Sequence, residues 1–390
     1  MKKFLKAAVC MTAFFVWGCE SKEETEIQKP LSEQNFEFQI YDSLVVDYIG
    51  NLDLADISID GSTFLLIDSQ TDTLFVTDKE GEILHKFSRK GGGPGFYPNF
   101  RLGPPNFLTN SEIIIPASGG FYLYTLSGDP TRTFLPEFNP SYSMINQHNS
   151  NLIVRDGNVY YPWEGRLTDK YGVDGKKFQL ETQRVEILDL ENGTFTPALH
   201  FPKESKFSTD EKSYLNVNYL TALQSKGDSL YVIFRNEPVI FGYHFSNLES
   251  PASIRRIPFP EFIEKEPKES GKFGKYEMKD LYVGSINNFY PTENHHFLIS
   301  YTRGLTDEEY EEIFSLESKD RTLFMEEMKK TNTNGMVLFD GKSISTLIKK
   351  PFELGYTLKF ISEDEIWFTP NYSEVEKDYV VLYKTRLVSN

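Results

Sequence analysis

DISIDGSTFLLIDSQTDTLFVTDKEGEILHKFS, the stretch from Asp56 to Ser88, decides the fold of this chain. Its apolar and β-branched segments recur about every ten residues, at 56–60, 64–67, 74–77 and 82–87. Short runs rich in Asp, Gly, Ser and Thr separate them, as expected of strands joined by tight turns. The stretch therefore predicts a four-stranded antiparallel meander.

Weaker copies of this meander follow along the chain. Their candidate strands are 106–109, 112–116, 120–126 and 131–138; 151–155, 158–163, 184–190 and 194–201; 219–225, 229–235, 239–245 and 253–259; 285–291, 296–301, 335–339 and 343–349; and 358–362, 365–369 and 378–383. One sheet alone cannot bury both of its faces, so repetition predicts a closed array. The last unit lacks a strand, which either 36–41 or 44–49 would supply, so that the two ends of the chain close the ring.

The sequence thus predicts an all-β fold, a six-bladed β-propeller over residues 36–390. A pair of β-sandwiches is the alternative. Aromatic residues make up 15% of the chain, with 32 Phe and 22 Tyr, and aromatic side chains favour strands.

Four short motifs carry a resemblance to a known family. They are FLLIDS at Phe64–Ser69, LFVTD at Leu74–Asp78, GEIL at Gly81–Leu84 and RKGGGPG at Arg89–Gly95. Together they resemble the NHL-like β-propeller lipoproteins of Bacteroidota, an uncharacterised family with a helical insertion in a late blade. The resemblance is sharp over residues 52–105 and architectural elsewhere. It implies a fold and a location, not an activity.

One segment, 306–331, departs from the strand pattern. Thr306 and Glu309 have the spacing of a capping box, and apolar residues follow at helical spacing. Ser318 is expected to cap a second helix that runs through Lys330. The insertion is interpreted as a structural lid on one face of the propeller, with partner docking or gating of a substrate as the alternative.

The N-terminus has the layout of an export signal. Three lysines within the first six residues precede the apolar run Ala7–Trp17 and then Gly18 and Cys19. The run is too short to span a bilayer. Its end resembles the lipobox of bacterial lipoproteins, which implies that residues 1–18 are a signal peptide and that Cys19 is lipidated. A simple export signal cut slightly later is the alternative.

Residues 19–35 are polar and acidic and are expected to form a disordered tether. Within them, Ser21–Glu24 resembles the export signal of Bacteroidota lipoproteins. The implied location is the cell envelope, in the outer membrane, with exposure at the cell surface or toward the periplasm as the two alternatives.

Charge narrows the choice of partners. Loss of the three lysines in residues 1–18 changes the formal net charge from −16 to −19. A surface this acidic repels nucleic acid, so no nucleic-acid partner is expected. The expected partners are the membrane, through the N-terminal lipid, and a protein, peptide or glycan. The chain has only two cysteines, Cys10 and Cys19, so no disulfide is expected in the mature fold.

The candidate ligand-binding residues are aromatic residues and arginines near strand ends. Trp163 precedes Arg166, and Tyr301 precedes Arg303, each pair beside a glycine, so the two arginines could bind an anion or carboxylate at one propeller face. Arg89 precedes the glycine run and could point to a channel mouth. Ion pairing with the many acids is the alternative for the arginines, and packing between blades is the alternative for the aromatic rings.

No catalytic constellation is apparent. The glycine run lacks the Gly-Lys-Ser/Thr ending of a P-loop and is interpreted as a crossover between blades. His295 and His296 would point to opposite faces of a strand, so no metal site and no cofactor are predicted. The sequence therefore favours a binding or scaffolding propeller of unknown ligand over a purely structural surface protein. A propeller lyase or hydrolase acting on glycan or peptide, with its residues gathered at the axis, is the alternative.

Overall fold

The computed structural model describes residues 30–142, 152–173, 175–209, 212–268, 277–372 and 378–389. The predicted signal peptide 1–18 and the predicted lipidation site Cys19 lie outside these residues, as does most of the predicted tether. Leu31 is buried, in a short 3₁₀ helix at Leu31–Glu33, so packing against the propeller begins before residue 36. No helix in the described part of the chain has the length and apolar character needed to cross a membrane.

Strands dominate the described residues. In chain order they are β1 (Phe36–Val46), β2 (Asp53–Ile57), β3 (Thr63–Asp68), β4 (Thr73–Asp78), β5 (Ile83–Phe87), β6 (Asn106–Thr109), β7 (Glu112–Ala117), β8 (Gly120–Thr125), β9 (Pro130–Phe134), β10 (Asn139–Pro140), β11 (Ile153–Arg155), β12 (Asn158–Tyr161), β13 (Arg166–Leu167), β14 (Val185–Asp189), β15 (Phe195–Ala198), β16 (Thr221–Lys226), β17 (Ser229–Phe234), β18 (Glu237–His244), β19 (Ser253–Arg256), β20 (Ser285–Pro291), β21 (Phe297–Thr302), β22 (Asn334–Phe339), β23 (Leu354–Ser362), β24 (Glu365–Pro370) and β25 (Val380–Ser389). The α-helices are α1 (Gly175–Glu181), α2 (Asp307–Glu317) and α3 (Arg321–Thr331).

These strands form the six blades of a β-propeller, which confirms the predicted fold. The blades are the antiparallel sheets β2-β3-β4-β5, β6-β7-β8-β9, β11-β12-β14-β15, β16-β17-β18-β19, β20-β21-β22 and β23-β24-β25-β1. We number them one to six in this order. A separate two-stranded ladder, β10 with β13, and the helix α1 lie in the connections around blade three and were not predicted.

The ring is closed by the first strand of the chain. β1 pairs with β25 from Phe36↔Ser389 to Val46↔Val380 and so forms the outermost strand of blade six. The two candidate closing segments, 36–41 and 44–49, fall mainly on this single strand. Closure covers two sheet edges that would otherwise be exposed.

The prediction that 343–349 forms the fourth strand of blade five is wrong, because the described sheet has three strands. This segment follows β22 only through scattered contacts, such as the hydrogen bond from the Ile348 amide to the Met336 carbonyl. The reason lies at Lys349, whose amide donates to the Phe36 carbonyl and whose carbonyl accepts from the Phe38 amide. The end of the segment thus pairs with β1 of blade six.

The helical insertion lies between β21 and β22, as predicted, and the cap of α2 is the expected box of Thr306 and Glu309. The prediction that Ser318 caps the second helix is wrong. Ser318 ends α2, and Asp320 caps α3 by accepting a hydrogen bond of 3.0 Å from the Leu323 amide. A carboxylate is as good an N-cap as a hydroxyl, and here it lies nearer the start of α3.

One face of the ring carries the long connections. Every blade repeats the same strand order, so the innermost strands β2, β6, β11, β16, β20 and β23 all begin at one face, which we call the upper face. The connection 88–105, the described parts of the connection 257–284 and the insertion α2–α3 lie at this face. The lower face has short turns such as 58–62 and 110–111. Because loops on a rigid scaffold commonly carry function, the upper face is where a site is expected.

Candidate ligand-binding channel

A cavity of about 1080 Å³ lies on the axis of the propeller. All six blades contribute to its wall through their innermost strands; examples are Ala55, Asn106, Val154, Gln224, Asn288 and Thr357. The wall also includes residues between blades five and six, such as Met336 and Phe360. We call this cavity the channel. It exists because ring closure leaves the faces of the innermost strands around an open axis.

Neutral hydrogen-bonding side chains line much of the channel. Asn287 is engaged within its blade, since it donates to the Thr302 hydroxyl at 3.0 Å and accepts from Ser285. Gln224, Asn288 and Ser300 make no side-chain hydrogen bond within the part of the chain that the structure describes. Each is partly exposed to the channel, so its donors and acceptors are available to a ligand.

Apolar side chains make up the rest of the wall. They include Leu54, Ile153, Val154, Tyr290, Met336, Leu347, Ile348 and Phe360. Val154 and Leu347 are 38% and 52% exposed, so apolar surface faces the open channel as well as the core. A wall that mixes apolar surface with a few polar groups is typical of small-molecule sites.

Two of the charged residues in the wall are neutralised by the protein. Arg101 donates through Nε to Asp72 at 2.6 Å, and the Tyr97 hydroxyl donates to the same carboxylate. Lys359 lies 2.7 Å from Asp56. These pairs leave Asp53 and Lys350 as the wall charges without an ion pair among the described residues, and the Lys350 ammonium donates to the Gly355 carbonyl at 2.6 Å.

Asp53 lies at the upper end of the channel, at the first position of β2. Its carboxylate accepts a hydrogen bond from the Tyr356 hydroxyl and a long one of 3.5 Å from Ser69. Burial and the negative charge of Asp53 both raise the pKa of the Tyr356 hydroxyl. The same two causes raise the pKa of Tyr372 to about 12, and this residue follows the upper-face end of β24. We call Asp53, Tyr356 and Tyr372 the mouth cluster.

The two arginines predicted from sequence are held by separate carboxylates. Arg166 forms a bidentate pair with Glu186, at 2.7 and 2.8 Å, and its guanidinium lies 3.9 Å from the Phe138 ring. Arg303 donates to Glu309 at 2.8 and 3.0 Å. Neither lines the channel, and the structure does not bring them together.

The other three candidates also have protein partners. Arg89 donates to the Gly128 carbonyl at 2.6 Å, at the start of the glycine run that links β5 to β6. Trp163 is 2% exposed and packs among aromatic rings between blades two and three. Tyr301 is 8% exposed and stacks on Phe259 at a centroid distance of 4.2 Å. None of the three is part of the channel wall.

Metal-binding side chains do not cluster in the described part of the chain. No group of three or more His, Cys, Asp or Glu residues is arranged there to hold a metal ion.

Comparison with known proteins gives the fold and little else. No family model matches the sequence, and no curated protein matches it. A member of the DUF4221 family from Bacteroides vulgatus aligns with a TM-score of 0.58 at 10% identity, over 92% of this chain and 100% of its own. A protein from Bacteroides fragilis that is described as exported aligns with a TM-score of 0.54 at 14% identity, over 92% of this chain and 96% of its own. The likeness is one of fold.

Sequence reasoning missed the channel residues. Asn288 and Gln224 lie on strands that were predicted correctly, but nothing in their neighbourhood distinguishes them from other polar strand residues. Asp53 and Tyr356 are 303 residues apart and meet only because β2 and β23 are neighbours around the axis. The alternation of side chains gave no reliable signal either, because a register shift between Leu54 and Asp56 interrupts it in β2.

Proposed function

We propose that this protein is an outer-membrane lipoprotein whose propeller binds an oligosaccharide in the channel. The observation that carries the proposal is the channel wall, where unengaged amides and hydroxyls alternate with apolar surface. A pyranose ring offers the complementary surface, because its hydroxyl groups each donate and accept hydrogen bonds while its ring faces are apolar. Gln224, Asn288 and Ser300 supply donors and acceptors of that kind.

Charge supports an uncharged ligand along most of the channel. The chain as a whole is strongly acidic. In the channel wall, however, two acids are balanced by bases, because Asp72 pairs with Arg101 and Asp56 pairs with Lys359. The amide-lined middle of the channel therefore presents neutral hydrogen-bonding groups, and the charges beside it are paired. The volume of about 1080 Å³ suits a short oligosaccharide better than a single sugar.

Membrane attachment is the second half of the proposal. Its support is the signal-like segment 1–18 followed by Cys19. Replacing Cys19 by Ala should remove the site of the lipid, so the variant should move from the membrane fraction to the soluble fraction of the envelope. Equal retention of both proteins in the membrane would overturn the anchor. Protease treatment of intact cells, with an antibody against the propeller, then separates surface exposure from a periplasmic location.

Calorimetric titration of the purified protein with neutral tetrasaccharides tests the ligand class. Cellotetraose, maltotetraose and N-acetylated chitotetraose are suitable probes, and at least one should bind. Asn288→Ala should weaken that binding about fivefold, the cost of one lost hydrogen bond. Asn110→Ala is the matched control, because Asn110 is exposed in a lower-face turn away from the channel, and it should change nothing.

Two results would overturn the proposal. One is that no neutral oligosaccharide binds while short peptides do. The other is that a bound oligosaccharide has the same affinity for the protein and for Asn288→Ala. Mass spectrometry of the recovered tetrasaccharide adds a further check, because cleavage would assign the channel to the enzyme alternative.

A further inference from the structure

The mouth cluster contains a carboxylate, Asp53, that has no counter-charge among the residues that the structure describes. Asp53 forms no ion pair with any described residue, whereas Asp56 and Asp72 nearby are each paired with a basic residue. The Asp53 side chain is partly exposed and belongs to the channel wall. An unpaired carboxylate in a concave site favours a positively charged group of a ligand.

The surroundings of Asp53 favour one kind of cation. Tyr356 lines the channel and is 49% exposed, and Tyr372, which follows β24 at the upper face, is 45% exposed. Aromatic faces attract ammonium groups, and the attraction adds to that of the carboxylate. The Tyr356 and Ser69 hydroxyls donate to Asp53 and hold it in place, which lowers the entropic cost of binding.

The basic residues of the channel do not take this role themselves. Lys359 is held by Asp56, and Arg101 is held by Asp72. Lys350 donates to the Gly355 carbonyl and lies beyond ion-pair distance of Asp53. The carboxylate therefore remains available at the point where a ligand would enter.

We propose that the mouth cluster of Asp53, Tyr356 and Tyr372 binds a protonated amine, so that the channel prefers an oligosaccharide that carries an amino sugar. The inference rests on the proposed function for the neutral part of the ligand. It adds the chemical group that the upper end of the channel selects.

Two probes of equal length test this preference. Chitosan tetrasaccharide carries free amines, and chitotetraose carries the same amines in acetylated, uncharged form. At slightly acidic pH, where the sugar amines are protonated, the charged probe should bind the purified protein about tenfold more tightly, as expected for one charge-assisted contact. Asp53→Asn should abolish the difference while leaving chitotetraose binding within about twofold.

Asp60→Asn is the matched control. It removes the same charge from the same blade, but Asp60 lies in the lower-face turn 58–62 and forms no ion pair among the described residues. The preference for the charged probe should survive in this variant. A thermal melt of each variant confirms that Asp53→Asn is folded, and Tyr356→Ala, which keeps the carboxylate, should weaken the preference without removing it.

The outcomes separate the two proposals. Equal binding of both probes overturns the amine site and leaves the oligosaccharide function standing. Binding of neither probe, together with Asp53-dependent binding of the butylammonium ion, overturns the oligosaccharide function and supports the amine site. Failure of all three probes overturns both, and an equal loss of preference in Asp53→Asn and Asp60→Asn shows a general charge effect and overturns the amine site.

Discussion

At the scale of single residues, individual polar side chains join neighbouring blades. Asp56 on β2 is the clearest case, because its carboxylate serves three blades. One oxygen lies 2.7 Å from the Lys359 ammonium of blade six, and the other accepts a hydrogen bond of 2.8 Å from the Phe107 amide of blade two. Asp56 is only 8% exposed, so water replaces these partners poorly.

Replacing Asp56 by Ala should lower the free energy of unfolding by about 3 kcal/mol, because it leaves a half-buried ammonium and a buried amide without their partner. Urea unfolding followed by tryptophan fluorescence measures the change. The exposed Asp60 offers a matched control, and Asp60→Ala should cost under about 1 kcal/mol. Equal losses for the two variants would show that Asp56 does not join the blades.

Glycine at the β4–β5 turn is required by a close contact with the closing strand. Gly81 has φ +88°, and a Cβ there would lie 1.9 Å from the Val45 carbonyl oxygen. Gly61 has a similar φ of +69° but open space around it. Gly61→Ala should therefore cost about 1 kcal/mol for the backbone alone. Gly81→Ala should cost about 3 kcal/mol or more, since Val45 must move, and equal midpoints in urea would contradict this reading of the contact.

At the scale of elements, an ion pair of Arg303 is one of several contacts that hold the helical insertion to the propeller; Tyr282 adds ring contacts to α2. Arg303, at the end of β21, forms a bidentate pair with Glu309 of α2, and Glu309 also accepts from the Thr306 amide at 2.9 Å. Ile313 is buried, whereas α3 has no buried residue. The insertion is thus attached to blade five mainly through α2.

Acid should loosen this attachment. The Arg303 guanidinium, by hydrogen bonding, holds the pKa of Glu309 below its ordinary value, although burial opposes it. A carboxyl with a lowered pKa in the folded state stabilises that state fully above its unfolded pKa of about 4.3, and the stabilisation is lost as the pH falls below it. Amide hydrogen exchange across α2, corrected for intrinsic rates, should therefore accelerate below about pH 4.

Glu309→Gln isolates this effect from the other acids that face the insertion. Glu261 pairs with Arg303 and Asp307 pairs with Lys279, so both are further acidic groups at this attachment. Their contribution remains in the Gln variant, so the difference between the two proteins reports Glu309. In the variant, exchange across α2 should be about tenfold faster at neutral pH, with a smaller further change in acid. The same acid response in both proteins would show that Glu309 is not the anchor.

Elements whose pattern is local could be predicted from the sequence, and elements fixed by distant pairing could not. β3, β4 and β5 of blade one follow from apolar segments between polar turns, and α2 follows from its capping box. The first predicted strand, 56–60, was placed about three residues late, because β2 is Asp53–Ile57 and the chain turns after it. The segment 343–349 has strand-like composition, but its end pairs with β1, more than 300 residues away in sequence. The channel depends on six such long-range placements at once, so Asp53 and Asn288 carried no local signal.

At the scale of the whole molecule, the closing strand β1 joins the last blade to the first, since it pairs with β25 of blade six and packs against blade one. Leu44 of β1 is 2% exposed and belongs to the apolar cluster between blades six and one, together with Leu54, Phe64 and Trp367. Val45, the next residue, faces outward and is 45% exposed. The alternation means that β1 both completes a sheet and fills an interface between blades.

If ring closure makes the blades unfold together, a destabilising substitution in β1 should also lower the urea midpoint reported from the opposite side of the ring. Leu44→Ala should lower the free energy of unfolding by about 3 kcal/mol through the cavity that it leaves, whereas Val45→Ala should cost under about 1 kcal/mol. Beyond the signal segment the chain has two tryptophans, Trp163 in blade three and Trp367 in blade six. In the single-tryptophan backgrounds Trp163→Phe and Trp367→Phe, the Leu44→Ala shift in urea midpoint should be the same for either reporter. A shift seen by Trp367 and not by Trp163 would mean that the blades unfold separately and that β1 stabilises only its own blade.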